Sequence, residues 1–276
     1  MKEKTILITG CSSGIGLATA EGLKADGWRV FASARRPEDV QKLAEAGFDA
    51  VRLDVDDSVS IAEALDTVLK ATGGRLDALF NNAGYGQPGA AEDLPRAALR
   101  AQFETNLFGA WELTQKVLPV MRAQGHGRIL FNSSVLGFAA MKWRGAYNAS
   151  KYAMEGLCDT LRLELSGSGI HVSLIEPGPI ESRFRTNALA KFLEYVDIDA
   201  SVHRDSYQKQ LARLKKEGHA APFTLPASAV CDAARRALKA RMPAARYRVT
   251  TPTKVFWYLK RLLPTRWLDG LLGRAA

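Results

Sequence analysis

The sequence predicts a single α/β domain, doubly wound, with a parallel sheet of about seven strands and helices on both faces. Three observations predict it. Short apolar or β-branched runs alternate along the chain with longer helical stretches, the order that a parallel sheet with crossover helices requires. The first such run leads into a glycine-rich turn and then a helix, Thr9-Gly10-Cys11-Ser12-Ser13-Gly14-Ile15-Gly16. Polar residues also recur at the ends of the strands, the edge at which a doubly wound sheet takes its ligand.

Strand one runs from Thr5 to Thr9, and the helical stretch Ile15-Gly16-Leu17 onward to Leu23 follows it. A glycine-rich turn in that position lets backbone N–H groups approach a pyrophosphate at the positive end of the helix. Gly10, Ser12, Ser13, Gly14, Ile15 and Gly16 are therefore candidate dinucleotide contacts. The spacing is Gly-x-x-x-Gly-x-Gly rather than the common Gly-x-Gly-x-x-Gly, and an ordinary tight strand–helix turn is the alternative.

Strand two is Arg29 to Ala34, and its end bears on cofactor choice. NAD-selective sites usually place a carboxylate there to accept from the ribose hydroxyls. Here Ala34-Arg35-Arg36-Pro37 has no acid before Glu38. Arg35 or Arg36 suits a 2′-phosphate through its planar fork of donors, with Ser12 or Ser13 adding a hydroxyl. The expected cofactor is NADP(H), with NAD(H) less favoured; the alternative is two solvated arginines at a helix start. Strand three is Ala50 to Asp54 and strand four Leu76 to Phe80. A long helix is predicted from Pro95 to Arg122, with Pro95 in its first turn and Pro119 ending or kinking it. Strand five is Arg128 to Asn132, strand six His171 to Ile175, and strand seven Tyr247 to Thr250. Gly10, Asp54, Asn81, Ser134 and Pro177 then gather on one rim.

Between strands five and six lies Tyr147-Asn148-Ala149-Ser150-Lys151, with Ser134 upstream. A free phenol has a pKa of about 10 and is a poor acid or base near neutrality. Residues i and i+4 share a helix face, so the Lys151 ammonium can lie beside the Tyr147 phenol and favour the phenolate. Ser134 offers a hydroxyl that holds a substrate oxygen against the phenol. A plain surface pair at i,i+4 is the alternative.

Taken together, the motifs resemble the short-chain dehydrogenase/reductase family. They are Thr9-Gly10-x-x-x-Gly14-Ile15-Gly16, Asn81-Asn82-Ala83-Gly84, Asn106, Ser134, Tyr147-x-x-x-Lys151 and Pro177-Gly178, in the family's order and approximate spacing. The likeness is strong from about Thr5 to Ser182 and looser to about Val249. The Cys11-Ser12-Ser13 filling and Ile175-Glu176-Pro177-Gly178-Pro179 look most like the 17β-hydroxysteroid and retinol dehydrogenase branch. The resemblance implies a Rossmann-type fold and hydride transfer between nicotinamide C4 and a carbonyl carbon. It makes Tyr147 the general acid or base, Ser134 the group that orients the substrate oxygen, and Lys151 a ligand of the nicotinamide ribose that also lowers the Tyr147 pKa. Asn106 matches the residue that holds a proton-relay water, although an Asn within a helix often only bonds backbone. Asn81, Asn82, Ala83 and Gly84 match the adenine and ribose loop. Asp54 is similar to the adenine-contacting Asp, or is a turn acid. Pro177, Gly178 and Ser182 match the turn around the nicotinamide, with Ser182 where the family usually has Thr.

With 276 residues, 47% hydrophobic and 24% charged, the chain can bury a full core, and no linker, repeat or low-complexity tract divides it. Residues 1–250 read as the dinucleotide-binding domain, with 181–226 as a helical lid over the nicotinamide. Phe184, Leu189, Phe192, Leu193, Tyr195 and Val196 in the lid, with Phe138, Met141 and Trp143, favour a hydrophobic aldehyde, ketone or secondary alcohol, steroid-, retinoid- or fatty-chain-like. A stripe of plain core is the alternative. No metal is expected: Cys11, Cys158 and Cys231 are widely separated, and His126, His171, His203 and His219 form no ligand-like cluster. The start lacks the apolar run of a signal peptide, and a cytoplasmic location is expected.

The formal net charge of +9 comes from the end of the chain: Ala227 to Ala276 hold eleven Lys/Arg and two Asp. Residues 251–276 read as a basic amphipathic segment. It either lies peripherally on an anionic membrane surface or packs as a helix on the domain or a subunit interface. No nucleic-acid recognition motif accompanies the charge. The family likeness implies a homodimer or homotetramer. The competing function is a non-catalytic dinucleotide-binding sensor or scaffold, which has no need of Asn106, Ser134, Tyr147 and Lys151 together.

Overall fold

The computed structural model describes residues 3–216, 218 and 221–274, so His219 lies outside the described residues. Seven parallel strands form one sheet in the order β3-β2-β1-β4-β5-β6-β7. They are β1 (Thr5–Ile8), β2 (Arg29–Ala34), β3 (Asp49–Arg52), β4 (Ala78–Asn81), β5 (Gly127–Asn132), β6 (Ile170–Glu176) and β7 (Arg246–Arg248). The order reverses between β1 and β4, which puts a crevice beside the glycine-rich turn that leaves β1.

Side chains alternate across each strand, so one run feeds two cores. Ile6 and Ile8 of β1 join Phe80 and Leu130 on one face, under Ala20 and Leu23 of α1 (Gly14–Ala25) and Ala233 and Ala237 of α9 (Ser228–Lys239). Leu7, Leu79, Ile129 and Phe131 point the other way. They meet α3 (Ser58–Thr72), α5 (Gly109–Gln124) and α6 (Gly145–Glu164) through Ile61, Val68, Leu113, Val117, Met154 and Cys158. Each such buried aliphatic side chain contributes about 1.5–3 kcal/mol. Helix α2 (Pro37–Glu45) flanks β2 and β3.

A third cluster sits past the carboxyl edge of the sheet. It joins α4 (Arg96–Phe103), α7 (Phe184–Tyr195) and α8 (Arg204–Lys215) through Leu94, Ala98, Ala188, Phe192, Val196, Tyr207 and Leu214. The Tyr207 hydroxyl accepts from Ala90 N–H at 2.9 Å and donates to Asp93. The chain ends in α10 (Thr251–Leu262) and α11 (Thr265–Arg274).

The strands fall within about two residues of their predicted bounds, the usual uncertainty of element ends. Strand seven ends early because Thr250 turns to cap α10, accepting from Thr253 N–H at 3.4 Å. The long helix predicted from Pro95 to Arg122 is not continuous. Pro95 stands just outside α4 as its cap, and a π-helical turn, Glu104–Phe108, separates α4 from α5. Pro119 does not end α5, which runs on to Gln124 and stops at the left-handed Gly125.

In the C-terminal segment the Trp257 ring lies between the guanidinium groups of Arg248 and Arg261, 3.9 and 3.8 Å from its centroid. Lys260 donates to Phe138 O and, at 3.2 Å, to Tyr152 OH. This half of the alternative, packing on the domain, is what α10 does with its inner face. Its outer face leaves Val255, Tyr258 and Leu262 exposed, and α11 leaves Trp267 and Leu271 exposed. No helix among the described residues is long and apolar enough to cross a membrane, and none of their His, Cys, Asp or Glu groups is arranged to hold a metal ion.

Candidate active site

The glycine-rich turn is shaped by close backbone approach. A Cβ on Gly16 would lie 2.2 Å from Gly10 O, and one on Gly10, itself at φ +73°, would lie 2.9 Å from Ala83 Cα. Ser13 caps α1 through backbone position only, with no side-chain acceptor, and the first turn carries no acid. The positive end of α1 is thus left for an anion, which fits a dinucleotide pyrophosphate. Ser12 is exposed beside it, and Ser13, Gly14 and Ile15 are half-buried. Ser182 lies across from Gly14, whose added Cβ would come 3.0 Å from Ser182 Cβ.

A line of hydrogen bonds ties this turn to the phenol and amine. Thr9 Oγ1 accepts from the N–H groups of Asn82 and Ala83, both at 2.9 Å, and Asn82 Nδ2 donates back to Thr9 O at 2.9 Å and to Gly10 O at 3.2 Å. Asn132 Nδ2 donates to Asn82 Oδ1 at 2.9 Å, and Lys151 Nζ donates to Asn132 O at 2.7 Å. The loops after β1 and β4, the end of β5 and the helix carrying Tyr147 are therefore tied together.

Tyr147, Lys151 and Ser134 are all buried and come together. Tyr147 and Lys151 stand on one stripe of α6, with the Lys151 ammonium 5.7 Å from the Tyr147 ring centroid. Ser134 caps a 3-10 turn, Val135–Gly137, accepting from Leu136 N–H at 3.1 Å, and its hydroxyl reaches the Tyr147 phenol. The electrostatics correct one expectation. Burial pushes the Tyr147 phenol up to about 12, with only the Ser134 hydrogen bond lowering it. Lys151 is pushed down to about 8, also by burial, against the pull of Glu155 and Cys158. Lys151 does not depress the phenol here, because its ammonium turns to Asn132 O and both groups are desolvated.

Asn106 sits in the π-helical turn with no exposure. Its Oδ1 accepts from Tyr85 N–H at 3.0 Å, and its Nδ2 donates to Tyr85 O at 2.9 Å and Ser150 Oγ at 3.3 Å. The side chain thus pins the loop after Gly84 to α6, the backbone-bonding alternative. Asn81 is also displaced from the rim: it is buried and donates to Thr114 Oγ1 at 2.9 Å, inside the core. Asp54 accepts from Asp56 N–H at 3.2 Å, a turn acid's bond, and lies 4.0 Å from Arg35 Nε. The two arginines after β2 differ. Arg36 is engaged by Asp39 at 2.8 Å and Glu38 at 3.4 Å, whereas Arg35 is 65% exposed with only the long Asp54 contact. Pro177 O accepts from Val135 N–H at 2.8 Å, and Gly178 lies so close to Thr250 that a Cβ would meet its hydroxyl at 2.2 Å.

Of the lid residues, only Phe184 packs on the phenol, its ring centroid 5.4 Å from that of Tyr147. Phe192, Leu189, Tyr195 and Val196 turn into the core between α7 and α8, as the plain-core alternative had it, and Leu193 is exposed. Trp143 stacks edge-on to His203 and Tyr207 instead of lining an open wall.

Sequence reasoning missed a buried ionic scaffold under this site. Ser133 Oγ donates to Glu155 at 2.5 Å, and Arg246 reaches Glu155 at 2.9 Å, Asp159 at 2.7 Å and Glu176 at 3.1 Å. Arg248 meets Glu176 at 3.2 Å. Glu176 is fully buried and burial raises its carboxyl to about 7. Glu155, four residues past Lys151, was legible as the next position on the same stripe.

Known proteins resemble this chain over most of its length. The short chain dehydrogenase family profile matches residues 4–191. An uncharacterized oxidoreductase of Escherichia coli K12, YbbO, is 44% identical over 98% of this chain and 94% of its own length. Human 17-beta-hydroxysteroid dehydrogenase type 1 is 38% identical over 71% of this chain and 63% of its own. A solved short chain dehydrogenase/reductase from Burkholderia phymatum, in complex with NAD, superposes with a TM-score of 0.78 at 26% identity, covering 100% of this chain and 97% of that one.

Proposed function

The chain belongs to the short-chain dehydrogenase family and is most like its 17β-hydroxysteroid and retinol dehydrogenase branch, and from that premise we propose that it is an NADP(H)-dependent reductase of hydrophobic aldehydes or ketones. The observation that carries the reading is the buried meeting of the Tyr147 phenol with the Ser134 hydroxyl, on the helix face that also bears Lys151. Bound dinucleotide supplies the hydride, or receives it in the reverse direction. Ser134 donates to the substrate oxygen and holds it against Tyr147. Tyr147 then gives its proton to the alkoxide as charge develops there. A phenol kept protonated by burial is an acid ready for reduction. Lys151, positively charged below about pH 8 and on the same helix face, is placed to hold the nicotinamide ribose.

Arg35 supports the choice of NADP(H): it stands past β2, 65% exposed, and its long 4.0 Å contact with Asp54 leaves its guanidinium able to turn to a 2′-phosphate. Phe184 over the phenol supports a hydrophobic substrate. The uncapped α1 end, whose first turn carries no acid, supports a pyrophosphate there. The three free buried cysteines suit a reducing cytosol. Exposed Phe108 of the π-helical turn and Leu163 of α6 suit a second copy of the chain. The exposed outer faces of α10 and α11, with Lys254 and Arg266, support a peripheral contact with anionic lipid.

The test is NADPH and NADH consumption across aldehydes and ketones graded by chain length and ring size. NADPH should be preferred, and Tyr147→Phe should lower turnover at least about 100-fold while NADPH still binds. Tighter NADH binding would overturn the cofactor assignment, and appreciable turnover by Tyr147→Phe would remove Tyr147 from its role.

A further inference from the structure

Arg144 is a buried charge without a counter-charge. It is 8% exposed, it precedes α6 by one residue, and its Nη1 donates only to Trp143 O at 2.8 Å. No carboxylate among the described residues lies in ion-pair range of it. Glu92 is held by His203, and Asp93 by Ser201 and Tyr207. The charge that does act on Arg144 has its own sign: Arg213 of α8, itself half-buried and facing Arg185 of α7. The adjacent N-terminus of α6 is also positive. Burying an uncompensated guanidinium costs several kcal/mol, so a fold that keeps one there leaves a reason to be sought.

Two further features set this charge close to the catalytic helix face. Arg144 is the N-cap of α6, three residues before Tyr147 on the helix that also carries Lys151. Trp143, immediately before, adopts φ +63°, a left-handed conformation disfavoured for a bulky residue. Its ring is clamped 5.0 Å from His203 and 5.8 Å from Tyr207. Strain of this kind persists only where surrounding packing enforces it. The residue that follows it, Arg144, is the buried one.

We propose that Arg144, with Arg213 facing it from α8, is an oxyanion-binding subsite one helical turn from Tyr147, and that the substrate is an amphiphile carrying an anionic oxygen group near its carbonyl as well as an apolar chain. This rests on the reductase reading of the same site and narrows its substrate class. The guanidinium fork and the α6 N-terminus both suit a carboxylate, and a phosphate monoester presents the same chemistry.

Binding to the NADPH-loaded full-length protein, measured by calorimetry, separates the possibilities without requiring turnover. Dodecanoate, dodecyl phosphate and methyl dodecanoate share one chain and differ in the head. At least one anion should bind on the order of ten-fold tighter than the ester, as a charged hydrogen bond predicts. Arg144→Gln should bring that ratio to about one, and Arg213→Gln should reduce it. Arg144→Lys should keep part of it. Thermal unfolding gives a second readout: a group retained for binding should leave Arg144→Gln as stable as the parent or more so, whereas a structural arginine should not. Equal binding of anions and ester by the parent, or a preference unchanged in Arg144→Gln, overturns the proposal. Matched turnover of a 3-oxo acid and its ester then keeps the two readings apart, since reduction of the ester alone sustains the reductase and sinks the subsite.

Discussion

Tyr147 and Lys151 are displaced in opposite directions by the same cause. Desolvation raises the acid and lowers the amine, to about 12 and about 8, so the neutral form of each is favoured. The consequence for pH can be signed. If the Lys151 charge supports proton transfer, kcat/KM should fall as pH rises through about 8. Stability should move the other way. The folded amine releases its proton at about 8 and the unfolded one near its ordinary 10.5, so the unfolded chain binds more protons between those values and stability rises with pH there. A pH–rate profile beside thermal melts from pH 7 to about 10.5 checks it; activity and stability declining together would point to alkaline unfolding instead. The motif spacing made Tyr147, Lys151 and Ser134 legible in the sequence. Their burial was not, because it depends on Phe184 and Asn132 arriving from two other places in the chain. Arg144 was illegible for the same reason: an arginine beside Trp143 reads as surface until α8 is laid over it.

At the scale of elements, the glycine-rich turn is the part most tightly prescribed by local chemistry. Gly16→Ala would drive a methyl group to within 2.2 Å of Gly10 O and 2.6 Å of Asn82 Nδ2, neither of which can retreat without disturbing the loop bonded to Thr9. It should cost about 1–3 kcal/mol of stability and shrink the rise in melting temperature that NADPH produces. Scanning calorimetry with and without NADPH decides it, and an unchanged NADPH response would mean that the turn does not hold the dinucleotide. Strand positions were legible because β-branched runs bounded by turns have few other readings. The break between α4 and α5 was not. Nothing in Phe103 to Gly109 is a helix breaker apart from the terminal glycine. The widened turn is enforced instead by Asn106 clasping Tyr85 and by Gly109 pressing on Val55 O, both distant in sequence. Pro119 misled for a related reason: its missing N–H removes one bond, and the packing of Val117 and Met121 carries α5 past it.

Across the whole molecule, charge is distributed unevenly: the net +9 belongs to the last fifty residues. Part of it is consumed internally, by Arg246 and Arg248 on the buried carboxylates and by Arg261 on Trp257. Lys254 and Arg266 stay outward on the helices that carry Tyr258, Leu262, Trp267 and Leu271. Each surface Lys or Arg adds about 1 kcal/mol of attraction to an anionic leaflet. The full chain should therefore co-sediment with vesicles containing phosphatidylserine and not with phosphatidylcholine alone. Leu262→Glu with Trp267→Glu, both at exposed positions, should abolish that; equal sedimentation by parent and variant would dismiss the lipid contact. Arg246 has one more consequence, and it concerns the order of synthesis. Glu155 and Glu176 are made long before the cation that neutralises them, and Thr250, against which the Pro177-Gly178 turn is pressed, follows later still. A nascent chain can thus shape its nucleotide crevice while still on the ribosome, yet its catalytic floor stays electrostatically unfinished until the final strand emerges.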